Sequence, residues 1–483
     1  MRRILSILLF FATINVTAQE DFEAIKARMQ SNFNSHQKKA NEDFDAFRRR
    51  ANEEYANFLE QAWRQMDALS PIPAPHKPKP SSLPPYTPHT QPPTQLELDG
   101  ISPSAIAEDI NEGPEIVIPA QMETSNEEVD FYSTKLVLNV AKKIASFTLG
   151  NTTEKVVASA WRQLSNGDYD PLLKDCLAQK RKLQLCDWAY IQLCGTVANT
   201  TMNNRSNEAT ILQAFLLTQS GYRVRMAENG GRLVLLMPFD HTIYNYAYLT
   251  IDGQKYYVLD GNKNGKYRVC QASFPRERTA SISIARLPLL AVRATPARTF
   301  SSDGRYPEMR VTLGVNRNII DFYSHYPVSD AWSSYANVSL SEDIKTRLYP
   351  TLKQHLEGKS KQKAVDMLLD FVQYAFNYKT DQDQFGYERP LFADESFYYP
   401  YNDCEDRSIL FSILVHELLG LDVVLLHYPG HLATAVDLGN SAYGDYITVK
   451  GKRYTICDPT YVGASIGDSM PQYKNIKAKV ITL

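Results

Sequence analysis

The chain has 483 residues, 43% of them hydrophobic and 22% charged, and carries a formal net charge of -2 at neutral pH. That length allows roughly two to four domains, and the balanced charge argues against nucleic acid or an anionic membrane as the main partner. Tyrosine is abundant, at 29 residues, which suits clefts or surfaces that hold polymers.

Residues 1–18 read as a secretory signal, with Met1-Arg2-Arg3 as the basic end, ILSILLFFATI as the apolar core and Ala18 as a small residue for cleavage. No later apolar run is long enough to span a membrane, and no cysteine stands at the cleavage point to carry a lipid. The mature chain is therefore expected to be secreted or periplasmic.

Residues 19–69 carry an eleven-residue repeat, with Phe22, Phe33, Phe44, Tyr55 and Met66 in equivalent places. Ile25, Met29, His36, Ala40, Phe47, Ala51, Phe58 and Ala62 fall between them in steps of 3 and 4. The stripe has a period of about 3.67 residues, close to that of a straight α-helix. No glycine or proline interrupts residues 21–69, so one helix about 70 Å long is expected. It would either self-associate or dock on a partner, or lie back on the body.

Residues 70–97 hold ten of the 26 prolines. Such a tract builds no core and reads as an extended, semi-stiff spacer. Residues 96–128 are acidic and irregular, a loosely ordered lead-in.

Residues 130–296 echo a pattern that returns later. SNEATILQAFLLTQSGYRVRMA resembles CEDRSILFSILVHELLGLDVVLL: a polar start, a buried helix, a glycine and a strand. YLTIDGQKYYVLDG lies without gaps on YITVKGKRYTICDP, which sets Asp260 opposite Asp458 and places His241 near His431. Counting back from the two glycines sets Arg205 opposite Cys404, and no cysteine occurs from Gly195 to Val269. Cys176, Cys186, Cys194 and Cys270 cluster in or before this region, and an exported protein could bridge some of them. Cys186 and Cys194 share one helix about 12 Å apart along its axis, too far to bridge each other. In residues 297–350, EMRVTLGV and IIDFYSHYP suggest strands connecting two domains.

Residues 351–483 hold three short motifs in series. Lys361 to Tyr378 is an amphipathic helix, followed by a loop of the length that often builds sites, DQDQFGYERPLFADESFYYPYND. Phe397, Tyr398, Tyr399 and Tyr401 could line a cleft there, with Gln384 as an oxyanion donor. The first motif, YNDCEDRSILF, puts Cys404 in the first turn of a buried helix that ends at Gly420. Unpaired N–H groups and the helix dipole favour a thiolate at that point, whereas Asp403, Glu405 and Asp406 oppose it. The second, YPGHLATAV, puts His431 at the start of a strand. The third, YTICDPTYVGA, ends a hairpin at Asp458. The spacing is 27 residues from Cys404 to His431 and 27 more to Asp458. A thiol needs a base to become a nucleophile, and an imidazole needs a carboxylate to hold its other nitrogen. Cys457 reads as a strand core residue or as a thiol that pairs with Cys404 on oxidation.

DCEDRS before a buried helix, then GHLATAV, then ICDPTY, resembles the transglutaminase-like superfamily, in particular its secreted bacterial branch. The resemblance covers residues 351–483 and implies a papain-like α+β fold with Cys404 as nucleophile, His431 as base and Asp458 as orienter. By the same resemblance residues 130–296 are a degenerate tandem copy without a nucleophile. The implied chemistry is attack on peptide or isopeptide amide bonds of a peptide or protein substrate, with hydrolysis or acyl transfer to follow. The alternative is a non-catalytic envelope scaffold that uses both domains for binding. No metal or cofactor is expected: Gly420 stands where an HExxH motif beginning at His416 would need its second histidine, and no glycine-rich phosphate loop occurs.

Overall fold

The computed structural model describes residues 39, 42–75, 83–88, 92–103, 124–259, 265–329 and 331–483. The expected signal at 1–18, the first repeats at Phe22 and Phe33, and Asp260 lie outside the described residues. The fold is α+β, as expected, and rests on two six-stranded sheets.

Across the first sheet the strands run Trp63–Ala68, Gly265–Cys270, Arg225–Asn229, Arg232–Met237, Gln254–Val258 and Tyr248–Ile251. Across the second, place for place, they run Leu98–Ser102, Ala478–Thr482, Val423–Tyr428, His431–Val436, Lys452–Cys457 and Tyr446–Val449. The described pairs are antiparallel except that Leu98–Ser102 joins Ala478–Thr482 in parallel. Helix Ser206–Gln219 packs on the Arg232–Met237 strand, and helix Cys404–Leu419 on the His431–Val436 strand.

The two-residue period of a strand separates the faces of each sheet. Leu425, Leu432 and Val436 turn into a continuous helical core shared by the whole body, while Val424, Leu426, Ala433 and Ala435 form a smaller core on the opposite face. The first sheet divides in the same way, with Leu233 and Leu235 against the helices and Val234 and Leu236 behind. The shared core runs without a break from one sheet's helices to the other's. At the junction Tyr323 stacks on Phe392 with ring centres 4.2 Å apart.

Several expectations are corrected here. Among the described residues the N-terminal helix runs as far as residue 61 and stops there; Trp63–Ala68 is instead an edge strand, with Met66 opposite Tyr267. WRQMDA has no strong strand preference, and the strand Gly265–Cys270, with its open edge, decides its conformation. The described part of the apolar stripe faces its own body. Ala51, Tyr55, Ala56 and Leu59 are buried, Tyr55 sits 4.7 Å from the Trp161 ring, and Trp161 Nε1 donates to Asn52. Of the expected seam, Phe58 is left 53% exposed.

The described parts of the proline tract are tied to the body rather than free of it. Tyr86 donates to Asp468 at 2.9 Å, the Thr87 N–H to the Tyr461 hydroxyl at 3.0 Å, and the Leu96 N–H to the Tyr446 carbonyl at 2.8 Å. The lead-in contributes the strand Leu98–Ser102. In the connecting segment IIDFYS is helical, Arg317–Ser324, not a strand. Its buried Ile319, Ile320, Phe322 and Tyr323 recur at helical spacing, and Asn316 caps it by accepting the Asn318 N–H. Helix Glu342–Leu356 carries the chain across the expected boundary at residue 350.

Candidate active site

Helix Cys404–Leu419 begins at the cysteine itself. Asp403 is its N-cap, and the Asp403 N–H donates to the Asp406 carboxylate at 3.0 Å, closing a capping box. Gly420 ends the helix in the left-handed conformation, with φ of 65°. Cys404 is buried, and its Sγ donates to Glu405 Oε2 at 2.9 Å.

His431 is the first residue of its strand, released by the Pro429-Gly430 turn. Thr434 pairs with Cys457 on the neighbouring strand. Asp458 therefore lies one step past that pair, diagonal to His431 and on the same face. The contact follows directly: His431 Nε2 lies 2.8 Å from Asp458 Oδ2, with each side chain 3% exposed. The other Asp458 oxygen accepts the Thr460 N–H at 2.9 Å. With Nε2 held, Nδ1 is the imidazole nitrogen left for proton transfer.

One contact ties the cysteine helix to the start of the histidine strand, and another covers the imidazole. Ser408, one turn beyond Cys404, donates to the Leu432 carbonyl at 2.8 Å, pinning the helix beside the start of the histidine strand. Tyr473, on the short turn Pro471–Tyr473, stacks on the His431 ring at 4.7 Å and 12°. Burial pushes the Tyr473 hydroxyl up to about 12, and the nearby Asp458 carboxylate pushes in the same direction.

Sequence reasoning missed three residues that support the site. One is Tyr473, whose signal, a lone tyrosine after a proline, is too common to read. Gln373, from helix Lys361–Tyr374, holds the loop that carries Asp458: its Nε2 lies 3.2, 3.0 and 3.2 Å from the carbonyls of Asp458, Tyr461 and Ala464. Its Oε1 accepts the Gly463 N–H at 3.2 Å. Arg407 is fully buried and clasps the Gln373 and Phe376 carbonyls at 3.1 and 2.6 Å. Burial pulls its guanidinium down to about 10, still charged at neutral pH.

The remaining expected residues divide. Gln384 stands at the end of the turn Asp381–Gln384 and donates to the Tyr401 carbonyl at 3.3 Å, so one of its two N–H groups is already used. Tyr401 lies two residues before the cap, under Lys379 at 5.2 Å. Tyr399 belongs to a separate cluster, with the Phe385 ring and the Arg389 guanidinium each 5.1 Å away. Arg205 stands at the N-cap of helix Ser206–Gln219, the place Asp403 holds before Cys404, so Ser206 rather than Arg205 is the first helical residue there. The Arg205 side chain donates to the Phe147 carbonyl at 2.8 Å. The histidine place is corrected. Gly230-Gly231 makes the turn that Pro429-Gly430 makes in the second sheet, so Arg232, not His241, stands where His431 stands. Motif matching by apolar runs overshoots the turn by nine residues, because both strands are apolar throughout.

Around the cysteine lie buried carboxylates. Asp381, Asp403 and Asp406 bring oxygens within 4.8 Å of one another, as do Asp381, Glu388 and Glu405. Much of this cluster is the meeting of helix caps. Asp381 accepts the Arg389 N–H at 2.7 Å, Asp403 accepts the Asp381 N–H at 3.4 Å, and Asp406 accepts the Leu391 N–H at 2.9 Å. All six cysteines are free thiols. Cys457 is a buried strand residue whose thiol burial pushes well up. Among the described residues no helix is long and apolar enough to cross a membrane. No protein-family model, curated protein or solved structure matches this chain.

Proposed function

We propose that the chain is an exported transglutaminase-like thiol enzyme that acts on peptide or isopeptide amide bonds through Cys404, His431 and Asp458. The observation that carries this reading is the buried 2.8 Å pair of His431 Nε2 and Asp458, set beside a helix that begins at a cysteine. Asp458 fixes the tautomer and orients the ring, and Nδ1 serves as the base for the Cys404 thiol. The sulfur then attacks the acyl carbon, the amide C–N bond breaks, and the imidazolium returns the proton to the leaving amine. Water or a second amine resolves the thioester. The Cys404 N–H, in the first turn of its helix, is an oxyanion donor, and the second Gln384 N–H is available for the same work. The matching strand order of the two sheets supports a tandem pair, with Ser206 first in the helix where the first copy would need its thiol and Arg232 where it would need its imidazole.

A second reading has its own observation. Cys404 and His431 are only 2% and 3% exposed, which suits a non-catalytic binding module with a residual triad. Alkylation by iodoacetamide at about pH 8, followed residue by residue, separates the two. The catalytic reading expects Cys404 to react ahead of the other five cysteines and His431→Ala to slow it by at least about tenfold. Equal reactivity in both proteins rejects the enzyme.

A further inference from the structure

In the resting protein the Cys404 sulfur is engaged by its neighbour in sequence. Cys404 Sγ donates to Glu405 Oε2 at 2.9 Å, and the two residues are 2% and 1% exposed. We propose that Glu405 is a positioning residue for the thiol: the pair shares one proton, and this holds the sulfur as a neutral donor until the contact is broken. The inference rests on Cys404 being the nucleophile and adds a control on it.

The physical argument starts from charge. A thiolate 2.9 Å from a carboxylate, both out of water, places two like charges where little solvent screens them, so the pair keeps a proton. The surroundings strengthen this. From the same helix, Asp403 and Asp406 add negative charge and only Arg407 opposes it, with its N–H groups directed at the carbonyls of Gln373, Phe376 and Pro459. From the preceding loop Asp381 and Glu388 reach within 4.8 Å of Glu405, and Arg389 is committed to Glu395. From the strands His431 faces Asp458, and Tyr473 covers the ring. An imidazolium at His431 already has its counterion in Asp458, so it does little to draw the proton from Cys404. Glu405 thus decides when the sulfur is nucleophilic. For substrate attack the S–H bond must turn from Glu405 toward His431, which takes the proton as the sulfur–carbon bond forms.

The test measures alkylation of Cys404 in the full chain by iodoacetamide across pH, read by peptide mass spectrometry. In that reaction the sulfur–carbon bond forms, iodide leaves with its electron pair, and the thiol proton passes to solvent. The unmodified protein is expected to label slowly in acid, with a rate that rises about tenfold per pH unit through neutrality and no fast plateau below about pH 6. Glu405→Gln keeps the shape, removes the charge and offers an N–H donor to the thiolate. It should move the profile down by about one pH unit, a tenfold gain at a fixed pH near neutrality. Glu405→Asp retains the charge and should keep the slow profile. An unchanged profile in Glu405→Gln overturns the proposal. Should that variant fail to fold, a fast acid plateau in the unmodified protein overturns it equally, and the absence of a plateau upholds it. The His431→Ala comparison at about pH 8 keeps the two ideas apart. Acceleration in Glu405→Gln with no effect of His431→Ala leaves Glu405 in control of an inert thiol. The reverse pair of results keeps the enzyme and removes Glu405.

Discussion

Gln373 is the most informative position to perturb, because one buried amide fastens the whole turn that presents Asp458. Its side chain is 2% exposed, and three carbonyls from residues 458–464 lie within 3.2 Å of Nε2. An amide nitrogen has two hydrogens, so those three contacts amount to two full bonds shared among three acceptors. The Gly463 N–H to Oε1 makes a third bond. Gln373→Leu keeps nearly the same volume and removes all of them. At about 1 kcal/mol net each the three lost bonds cost about 3 kcal/mol, and a carbonyl or N–H that the relaxing loop leaves buried without a partner adds about 1–2 kcal/mol; about 3–5 kcal/mol is expected. Guanidinium denaturation measures the loss, and amide hydrogen exchange at Gly463 reports whether it is local. A variant within about 1 kcal/mol of the unmodified protein, with Gly463 still protected, would refute the idea that Gln373 anchors the aspartate loop.

Two other outcomes are expected from the same structure. Burial raises the Asp394 carboxyl from 3.8 to about 7, while the Ser341 N–H bonds to it at 3.1 Å oppose the shift. The folded chain therefore holds this proton more tightly than the unfolded chain, so stability is greatest below the unfolded value and falls as pH rises from about 4 to about 7. Asp394→Asn should flatten that window by up to about 4 kcal/mol, and denaturation midpoints at several pH values across it check the slope. Tyr55→Ala opens a cavity against Trp161 and Phe274, whose rings lie 4.7 and 5.6 Å away. It should cost about 3 kcal/mol without changing the sedimentation behaviour, because the described helix packs on its own body. A change of oligomeric state without loss of stability would return that helix to a role in association.

The places of the three motifs were legible because each carries a local signature. A cysteine after two capping residues, a histidine after Pro-Gly and an aspartate before proline mark a helix start, a turn exit and a strand end. The His431–Asp458 contact follows from those three places once the strands pair. Gln373, Arg407 and Tyr473 left no such mark, since a glutamine or arginine inside an amphipathic helix reads as surface until its partners are known. Periodicity also failed where two states shared one pattern. Trp63–Ala68 continues a helical stripe yet pairs as an edge strand, and Ile319–Tyr323 reads as an aromatic strand yet coils behind an asparagine cap.

By itself the sequence determined what local chemistry can determine: the alternation of helix and strand in the body, the capped helix at Cys404, the hairpin at Lys450-Gly451 and the residues with nucleophile, base and carboxylate character. Tertiary structure alone decided where the N-terminal chain goes, which residue stands in the histidine place of the first sheet, and that the Cys404 sulfur lies buried against Glu405. The first is a matter of pairing between segments far apart in the chain, Trp63 with Cys270. The last is a matter of burial, since Cys404 and Glu405 are neighbours in sequence and removal from water gives their contact its weight.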